Sequence, residues 1–174
     1  MPWLSRNLAL ATAIAAVTLA SCGRAPQQKL VRDPKSGISS AALFDPERFA
    51  GEWLVVASST PRCAGSKQNW ALSGKTGYRL SGTDCSDGTA PRMLGGTAVV
   101  TGPGGRISTS DSFGREPVWV LWVDQDYRIV ALGTPSGRWG QIMVRPSVGP
   151  RSDLLTAARE VMAFNGYYLN LITN

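Results

Sequence analysis

The stretch FDPERFAGEWLVVAS, residues 44–58, begins the part of the chain whose turn residues and apolar segments are typical of a folded domain. Asp45, Pro46 and Glu47 supply an N-cap, a proline at the first helical position and an acidic side chain in the first turn. Gly51 follows where such a short helix can end. The residues after it are apolar at both odd and even positions, which is typical of a strand buried on one face and partly covered on the other. A one-turn helix leading into a buried strand is therefore the predicted opening of the domain.

Toward the C-terminus, short apolar segments recur at regular spacing and are separated by turn residues. The glycine-containing segments 74–77 and 102–105 each lie between two such segments and predict hairpins. Together with the strand at 53–58, the predicted strands are 70–73, 78–83, 93–101, 106–112, 118–123, 128–132 and 139–144.

Helical periodicity appears only near the end of the sequence, where one face is formed by Leu154, Leu155, Ala158, Val161 and Met162. Ser152 or Asp153 can cap this helix, Asn165 with Gly166 can end it, and residues 168–172 form a short last strand. This order predicts an all-β protein: an eight-stranded up-and-down antiparallel β-barrel with one C-terminal α-helix and a short last strand. Barrel closure removes exposed strand edges and can enclose one small ligand, and a β-sandwich is the alternative architecture.

Toward the N-terminus, residues 8–19 form an apolar run preceded by a single basic residue, Arg6. The run is too short to span a bilayer comfortably and predicts a signal peptide. Leu19-Ala20-Ser21-Cys22 resembles a bacterial lipobox, in which the cysteine is diacylated and becomes the mature N-terminus. Ordinary cleavage after Ala20 and an uncut signal anchor are the alternatives.

The predicted organisation is a lipoprotein signal peptide at 1–21, an acylated Cys22 with a flexible tether at 22–43, and a barrel domain at 44–174. The tether is inferred from its proline, glutamine, lysine and glycine residues and its lack of apolar periodicity. In the lipoproteins that this segment resembles, glycine after the acylated cysteine implies the outer membrane. Two or three acyl chains, palmitate among them, hold such a protein stably, with the domain expected to face the periplasm.

The cysteine count supports this organisation, because three cysteines resolve into one acylated residue and one pair. In an oxidising envelope compartment, Cys63 and Cys85 are expected to form a disulfide, with two free thiols as the alternative. No CxxC or cysteine–histidine spacing indicates a metal site, and no metal or cofactor is expected.

The composition excludes several function classes. The 174 residues contain no histidine, which removes Ser-His and Cys-His nucleophile pairs and imidazole metal sites. The formal charge of +6 comes from scattered basic residues rather than a stripe, so nucleic-acid binding is not expected. The scattered charge indicates a solvated surface or an attraction to an anionic membrane face.

Three further motifs carry a family resemblance. Gly51-x-Trp53 at the first strand resembles the first lipocalin signature, and Asp124-Gln125-Asp126-Tyr127-Arg128 resembles the second, a turn before the seventh strand. Arg145 stands at the end of the eighth strand, where lipocalins keep an arginine. Over residues 44–174, and with the lipobox, the chain resembles the bacterial outer-membrane lipocalins.

A barrel must be sealed at one end, and we expect Trp53 and Arg145 to do so. Burial of the indole under the guanidinium, with a cation–π attraction of about 0.5–2 kcal/mol, can close it. Asp126 and Tyr127 are expected to shape a turn, and no residue of the chain is predicted to be catalytic.

The resemblance implies binding or transport of a small hydrophobic ligand, such as a fatty acid or lysophospholipid, in the bacterial envelope. Arg79, Arg92 or Arg138 could meet its carboxylate or phosphate at the barrel mouth. The expected inward, ligand-binding side chains are Val55, Ala57, Trp70, Leu72, Trp119, Leu121, Trp139 and Met143.

Three alternatives to a ligand carrier follow from the same residues. In the first, the large side chains fill the barrel and leave no cavity. A filled barrel would suit an envelope interaction protein that presents loops 60–69 or 84–90 to a protein partner that the sequence does not identify. An enzyme would need a nucleophile, for which Cys63 is the one obvious thiol, and pairing with Cys85 would consume it, so no enzymatic activity is predicted.

Overall fold

The computed structural model describes residues 29–149 and 151–174. The predicted signal peptide and the lipidation site at Cys22 lie outside these residues. The helices are α1 (Pro46–Phe49) and α2 (Ser152–Phe164). The strands are β1 (Gly51–Ser58), β2 (Lys67–Ser73), β3 (Gly77–Asp84), β4 (Arg92–Leu94), β5 (Thr97–Val100), β6 (Arg106–Thr109), β7 (Val118–Val123), β8 (Ile129–Gly133) and β9 (Gly140–Val144).

The strands form a closed antiparallel barrel, as predicted. Except for β4 and β5, which do not pair with each other, each strand pairs with its sequence neighbours. Strand β1 pairs with β9 to close the ring, with Leu54 opposite Val144. Strands β4 and β5 both pair with β3 and together occupy the position of one interrupted strand. The barrel is therefore eight-stranded. The break falls at Gly95 and Gly96, the latter with φ of +80°, inside the single strand predicted at 93–101.

The two ends of the barrel differ. The closed end carries α1 and the loops 74–76, 101–105 and 124–128, whereas the mouth carries the loops 59–66, 85–91, 110–117 and 134–139. Helix α1 is capped as predicted: the Asp45 carboxylate accepts from the backbone N–H groups of Glu47 (2.9 Å) and Arg48 (3.2 Å).

Buried apolar side chains form two clusters separated by the barrel wall. The inner cluster fills the barrel and includes Trp53, Trp70, Tyr78, Phe113 and Trp139. The outer cluster lies between the wall and α2 and includes Ile129, Ile142, Ala158 and Met162. Helix α2 packs on β7, β8 and β9 through the face that the sequence pattern predicts, and covers that side of the barrel.

The ends of α2 depart from the prediction in part. Arg151 is the N-cap, without a side-chain capping bond, and it pairs with Asp153 at 2.7 Å. Asn165 and Gly166 follow the last turn as expected, with Gly166 at φ of +84°. The last segment, predicted as a strand at 168–172, is instead a 3₁₀ turn over Leu169–Leu171, followed by one isolated bridge between Thr173 and Ser58.

Residues 29–43, predicted as part of a flexible tether, lie against the barrel. Val31 and Arg32 are buried, and the Val31 N–H donates to the Gly137 carbonyl in a mouth loop at 2.7 Å. The Arg32 guanidinium donates to the carbonyls of Asn165 (2.6 Å), Pro135 (3.3 Å) and Ser36. A buried guanidinium with three acceptors fixes this segment to the mouth end, and the sequence pattern of polar and turn residues did not reveal it.

Candidate functional site: the barrel interior

The closed end is sealed by an arginine on a tryptophan. The Arg145 guanidinium carbon lies 3.8 Å from the centroid of the Trp53 ring, inside the distance of about 6 Å that a cation–π contact requires. The guanidinium donates to the carbonyls of Arg48 (2.7 Å), Glu52 (3.1 Å) and Tyr127 (3.2 Å). Gly51 is needed beside it, because a Cβ there would meet Arg145 Nη1 at 3.1 Å and the residue has φ of +106°.

The turn over 124–128 is organised mainly by Asp124, which lies two residues before the predicted signature residue Asp126. The buried Asp124 carboxylate accepts from the backbone N–H groups of Arg128 (2.6 Å) and Ile129 (2.9 Å) and from Arg128 Nε (2.7 Å). Burial alone raises the pKa of Asp124, but these hydrogen bonds outweigh it and hold the pKa below its usual value. Asp126 is exposed and pairs with Arg128 at 3.3 Å.

Tyr127 belongs to both the turn and the seal. It has φ of +57°, and its hydroxyl accepts from the Asp45 N–H at 2.6 Å, which ties the turn to the start of α1. The Arg48 guanidinium lies 4.5 Å from the Tyr127 ring centroid. These contacts give Tyr127 a structural role, as the sequence analysis expects.

An aromatic column runs through the barrel from the seal to the mouth. Neighbouring ring centroids are 5.4 Å apart for Trp53 and Phe49, 5.1 Å for Phe49 and Trp70, 5.6 Å for Trp70 and Phe113, and 5.3 Å for Phe113 and Trp139. All five side chains are at most 1% exposed. The interior of this conformation is therefore filled by aromatic rings, the alternative that the sequence analysis kept open.

Tyr78 lies beside the column near the closed end. Its ring centroid is 5.8 Å from Phe49 and 5.6 Å from Trp70, and its hydroxyl donates to the Pro46 carbonyl at 2.9 Å. Burial, together with the nearby Tyr127 and Asp45, raises the pKa of Tyr78 far above its usual value. The phenol is consequently neutral at physiological pH and acts as a hydrogen-bond donor.

Two polar atoms in this interior stand out. The indole Nε1 groups of Trp70 and Trp139 are fully buried and have no hydrogen-bond partner among the residues that the structure describes. By contrast, Trp53 Nε1 donates to the Phe49 carbonyl at 2.9 Å. Since buried donors are nearly always satisfied in proteins, the two unpaired indoles mark the mouth half of the column as the place where an acceptor is wanted.

The eight predicted inward residues divide into two groups. Val55, Trp70, Trp139 and Met143 lie in the inner cluster. Ala57, Trp119 and Leu121 lie on the outer face, so these three were assigned wrongly as inward residues. Leu72 shares the parity of Trp70 and lies opposite Tyr78, but it is 41% exposed at the closed-end side of β2 and does not line the buried interior.

Two register shifts, one in β1 after Val55 and one in β7 between Val120 and Trp122, and an ambiguous strand explain the errors. A shift between Val55 and Ala57 reverses the direction of the side chains beyond it, so Ala57 packs beside Ile142 on the outer face. Strand β7 is apolar at every position, so its parity could not be read from the pattern, and Val118 and Val120 point inward instead of Trp119. The Arg106 guanidinium covers the outward Trp119 ring at 4.4 Å.

Phe113 is the functional candidate that the sequence analysis missed. It comes from the mouth loop 110–117 rather than from a strand, and the loop around it is otherwise polar. A single large aromatic residue in the segment SDSFGREP was the available signal.

The predicted disulfide is present and links two mouth loops. Cys63 in loop 59–66 and Cys85 in loop 85–91 are joined, with their Cα atoms 5.9 Å apart. Of the arginines proposed for the mouth, Arg138 pairs with Glu116 at 2.8 Å and Arg92 pairs with Asp87. Arg79 is exposed on β3 nearer the closed end.

A second concavity lies outside the barrel, between its wall and α2. It has a volume of about 380 Å³ and is lined mainly by aliphatic side chains: Leu54, Val56, Ile129, Val144, Val148, Leu154 and Leu155.

Within residues 29–149 and 151–174, no three His, Cys, Asp or Glu side chains are grouped so as to hold a metal ion. No helix of the same ranges is long and apolar enough to cross a bilayer.

Comparison with protein-family models and with curated proteins finds no match. Solved structures do match. Apocrustacyanin C2 is 14% identical, with a TM-score of 0.51 over 86% of this chain and 91% of that one. Lobster apocrustacyanin A1 is 15% identical, with a TM-score of 0.50 over 73% and 76% of the two chains.

Insecticyanin from the tobacco hornworm Manduca sexta is 17% identical, with a TM-score of 0.51 over 73% of this chain and 78% of that one. At these identities the likeness concerns the fold. This likeness, the eight-stranded barrel, the C-terminal helix and the sealed end lead to one conclusion: the chain has the lipocalin fold, the fold of crustacyanin and insecticyanin.

Proposed function

We propose that the chain is a carrier of a small hydrophobic ligand, held in the bacterial cell envelope by a lipid on Cys22. The observation that carries the ligand proposal is the barrel interior: an apolar, aromatic lining in which two indole N–H groups have no partner. Transfer of an apolar guest into such a lining is favourable by about 25 cal/mol for each Å² removed from water. A fatty acid, a lysophospholipid or a similar amphiphile fits this proposal.

The envelope location rests on the lipobox and on the disulfide. A cysteine pair that is oxidised across two loops suits the periplasm or the cell surface, and Gly23 favours the outer membrane. Metabolic labelling with palmitate would test the anchor: the full chain should incorporate label, and Cys22→Ser should not. Label retained by Cys22→Ser would overturn it.

Lipid extraction and mass spectrometry of the purified full chain test the carrier function. We expect a stoichiometric hydrophobic compound that is released by denaturation and absent from a parallel purification of Trp70→Ala, which alters the interior lining. An empty extract, combined with no saturable quenching of tryptophan fluorescence by hydrophobic probes, would contradict the proposal.

The filled column supports a second candidate, an envelope interaction protein with a solid barrel that presents its mouth loops to a protein partner. Copurification of a stoichiometric protein with an empty lipid extract would favour it. We propose no enzymatic role, since the Cys63 thiol on which that alternative depends is joined to Cys85. One reactive thiol in the folded, unreduced domain would reopen the enzyme hypothesis.

A further inference from the structure

The mouth half of the aromatic column is built as a sandwich with Phe113 in the middle. The Phe113 ring is inclined by only 22° to Trp70 and by 23° to Trp139, whereas Trp70 meets its other ring neighbours Phe49 and Tyr78 edge-on at 73° and 83°. Each indole is thus stacked against the Phe113 ring rather than meeting it edge-on. Strand β2 supplies Trp70, whereas two mouth loops, 110–117 and 134–139, supply Phe113 and Trp139.

The loop that delivers Phe113 has a backbone conformation that most residues avoid. Phe113, Gly114 and Arg115 all have positive φ, of 54°, 64° and 59°. Phenylalanine and arginine rarely adopt this region, and residues held there cluster at functional sites. Gly114 and Arg115 are exposed, so the strained tip lies in solvent while the ring alone is buried.

Polar contacts at the rim hold the loop down. The Phe113 N–H donates to the Asp84 carboxylate at 2.9 Å, and the Ser112 hydroxyl donates to the Gly95 carbonyl. Glu116, at the end of the loop, accepts from Ser136 and pairs with Arg138. Each of these contacts can be exchanged for water when the loop lifts, so moving Phe113 breaks no strand pairing.

With a phenyl ring between them, the two neighbouring indole N–H groups have no hydrogen-bond acceptor in the described part of the chain. Trp70 Nε1 and Trp139 Nε1 are buried donors without a partner among residues 29–149 and 151–174, and the Phe113 side chain has no acceptor to offer. Leaving such donors unpaired is unfavourable. A flat ring with an acceptor oxygen would keep the stacking and also satisfy at least one of them.

We propose that Phe113 is a retractable plug, and that the place it vacates between Trp70 and Trp139 is a binding slot for a flat aromatic or conjugated ring that carries a hydrogen-bond acceptor oxygen. The inference rests on the proposed carrier function, and it assigns to that function a ring-bearing hydrophobic ligand in place of a simple fatty acid. When loop 110–117 lifts, the ligand ring enters between the indoles and accepts from their Nε1–H groups. A saturated acyl chain has neither a stacking face nor an acceptor at this depth.

The test compares three probes on the purified full chain by quenching of tryptophan fluorescence. Anthraquinone-2-sulfonate is flat and has ring carbonyls, anthracene-2-sulfonate is flat without them, and cis-parinaric acid is a linear chain. Removing the plug with Phe113→Ala should tighten anthraquinone binding about tenfold, because the binding-competent state no longer has to be opened. Phe164→Ala, which removes a phenylalanine 82% exposed at the end of α2, is the matched control and should change nothing.

Kinetics and donor removal separate the plug from an enlarged cavity. In the unaltered chain the association rate should level off with probe concentration, because loop opening limits it, and in Phe113→Ala it should rise linearly. Trp70→Phe with Trp139→Phe keeps two rings but removes both N–H donors, and should abolish the preference for anthraquinone over anthracene. If Phe113→Ala does not fold, Phe113→Leu, which is apolar but not flat, replaces it.

Each outcome bears on one proposal or on both. If the chain binds cis-parinaric acid but Phe113→Ala gains nothing for anthraquinone, or gains equally for all three probes, the slot is overturned while the carrier function stands. If Phe113→Ala binds tightly and the unaltered chain never binds, Phe113 is a fixed core residue and the plug is overturned. If neither protein binds any probe, the carrier function fails as well.

Discussion

At the scale of single residues, Arg145 makes several hydrogen bonds in addition to its cation–π contact. It covers the Trp53 ring and donates to backbone carbonyls on both sides of the α1–β1 junction and in the turn at Tyr127. Charge-assisted hydrogen bonds to main-chain acceptors contribute more than neutral ones. One side chain therefore joins three chain segments at the closed end.

Replacing Arg145 should open this seal. For Arg145→Ala we expect the free energy of unfolding to fall by about 2–4 kcal/mol, from lost charge-assisted hydrogen bonds and the cation–π contact. Arg145→Lys should recover less than half, because an ammonium cannot span the same acceptors. Urea denaturation measures both, and Arg79→Ala, at an exposed arginine of β3, is the control. Full recovery of stability in the lysine variant would contradict the role of the guanidinium geometry.

Asp124 should make stability depend on pH in the acid range. Its pKa is lower in the folded chain than in the unfolded one, so its contribution is complete above the unfolded pKa, about 3.9 for aspartate, and is lost as pH falls through the folded value. At neutral pH, Asp124→Asn should destabilise by about 1–3 kcal/mol, because one acceptor becomes a donor facing N–H groups.

The acid titration of stability checks this assignment. The gap between the unaltered chain and Asp124→Asn, followed by urea denaturation from pH 7 down to the acid limit, should shrink as Asp124 becomes protonated. Asp126→Asn, at the exposed carboxylate of the same turn, should show only a small gap at every pH. A gap for Asp124→Asn that stays constant would show that its ionisation is not linked to folding.

At the scale of elements, the disulfide and the loops it joins form the rim of the mouth. Cys63 and Cys85 are 22 residues apart, and their bond ties loop 59–66 to loop 85–91. Thr60 strengthens the same junction: its hydroxyl donates to the Cys85 carbonyl at 2.6 Å and accepts from the Gly88 N–H at 3.1 Å. The rim therefore has a covalent half and, around Phe113, a half held by polar contacts and by the packing of the Phe113 ring.

Removing the disulfide should cost stability without dissolving the barrel. The double substitution Cys63→Ser with Cys85→Ser is expected to lower the free energy of unfolding by about 3 kcal/mol in the chain-entropy account. Reduction of the unaltered chain should give the same loss, measured by urea denaturation with and without reductant, and Cys22→Ser should give none. A reductant effect that persists in the double variant would place its origin elsewhere.

The same elements show how far sequence reasoning reaches. The barrel strands, the capped helix α1 and the face of α2 follow from local pattern and turn chemistry, and they lie close to where they were predicted. The exceptions are the break inside the strand predicted at 93–101 and the segment 168–172, which forms a 3₁₀ turn in place of a strand. Which face of β7 points inward could not be predicted, because every residue of Val118–Val123 is apolar. The shift after Val55 likewise leaves no mark in the sequence, and it moved Ala57 out of the expected site.

Long-range contacts account for the remaining differences. Phe113 enters the barrel from a polar loop, and its position depends on Trp70 and Trp139, which lie far from it in sequence. The buried Arg32 donates to the carbonyls of Pro135 and Asn165. These tertiary contacts order the polar segment around it, although its composition predicts a flexible tether. Both residues belong to the mouth, which is where the structure differs most from the prediction.

At the scale of the whole molecule, the ordered N-terminal segment fixes where an anchor would leave the barrel. Val31 and Arg32 are attached to the mouth loop 134–139, so the chain departs from the mouth and not from the closed end. Between Cys22 and Lys29 there are seven residue steps, which span at most about 25 Å when fully extended. With a lipid on Cys22, this short connection would keep the mouth close to the bilayer and the closed end away from it.

This orientation predicts an asymmetric distance to the membrane. A donor dye on p-azidophenylalanine placed at Thr89, in a mouth loop, should transfer energy to acceptor-labelled lipid headgroups more efficiently than one placed at Lys75, in the closed-end hairpin. The two sites are separated by roughly the length of an eight-residue strand, about 20 Å after allowing for its tilt, which is enough to resolve by energy transfer. Both residues are exposed, so the label should not disturb the core.

The measurement uses the lipidated full chain in vesicles of outer-membrane lipids, with Cys22→Ser as the unanchored control. Replacing Arg32 by alanine should release residues 29–36 from the mouth, lengthen the tether and bring the two transfer efficiencies closer together, because the barrel can then turn relative to the bilayer. Equal efficiencies at the two sites in the unaltered anchored chain, or a higher one at Lys75, would show that the mouth is not held toward the membrane. Ligand would then have to reach it through the aqueous phase.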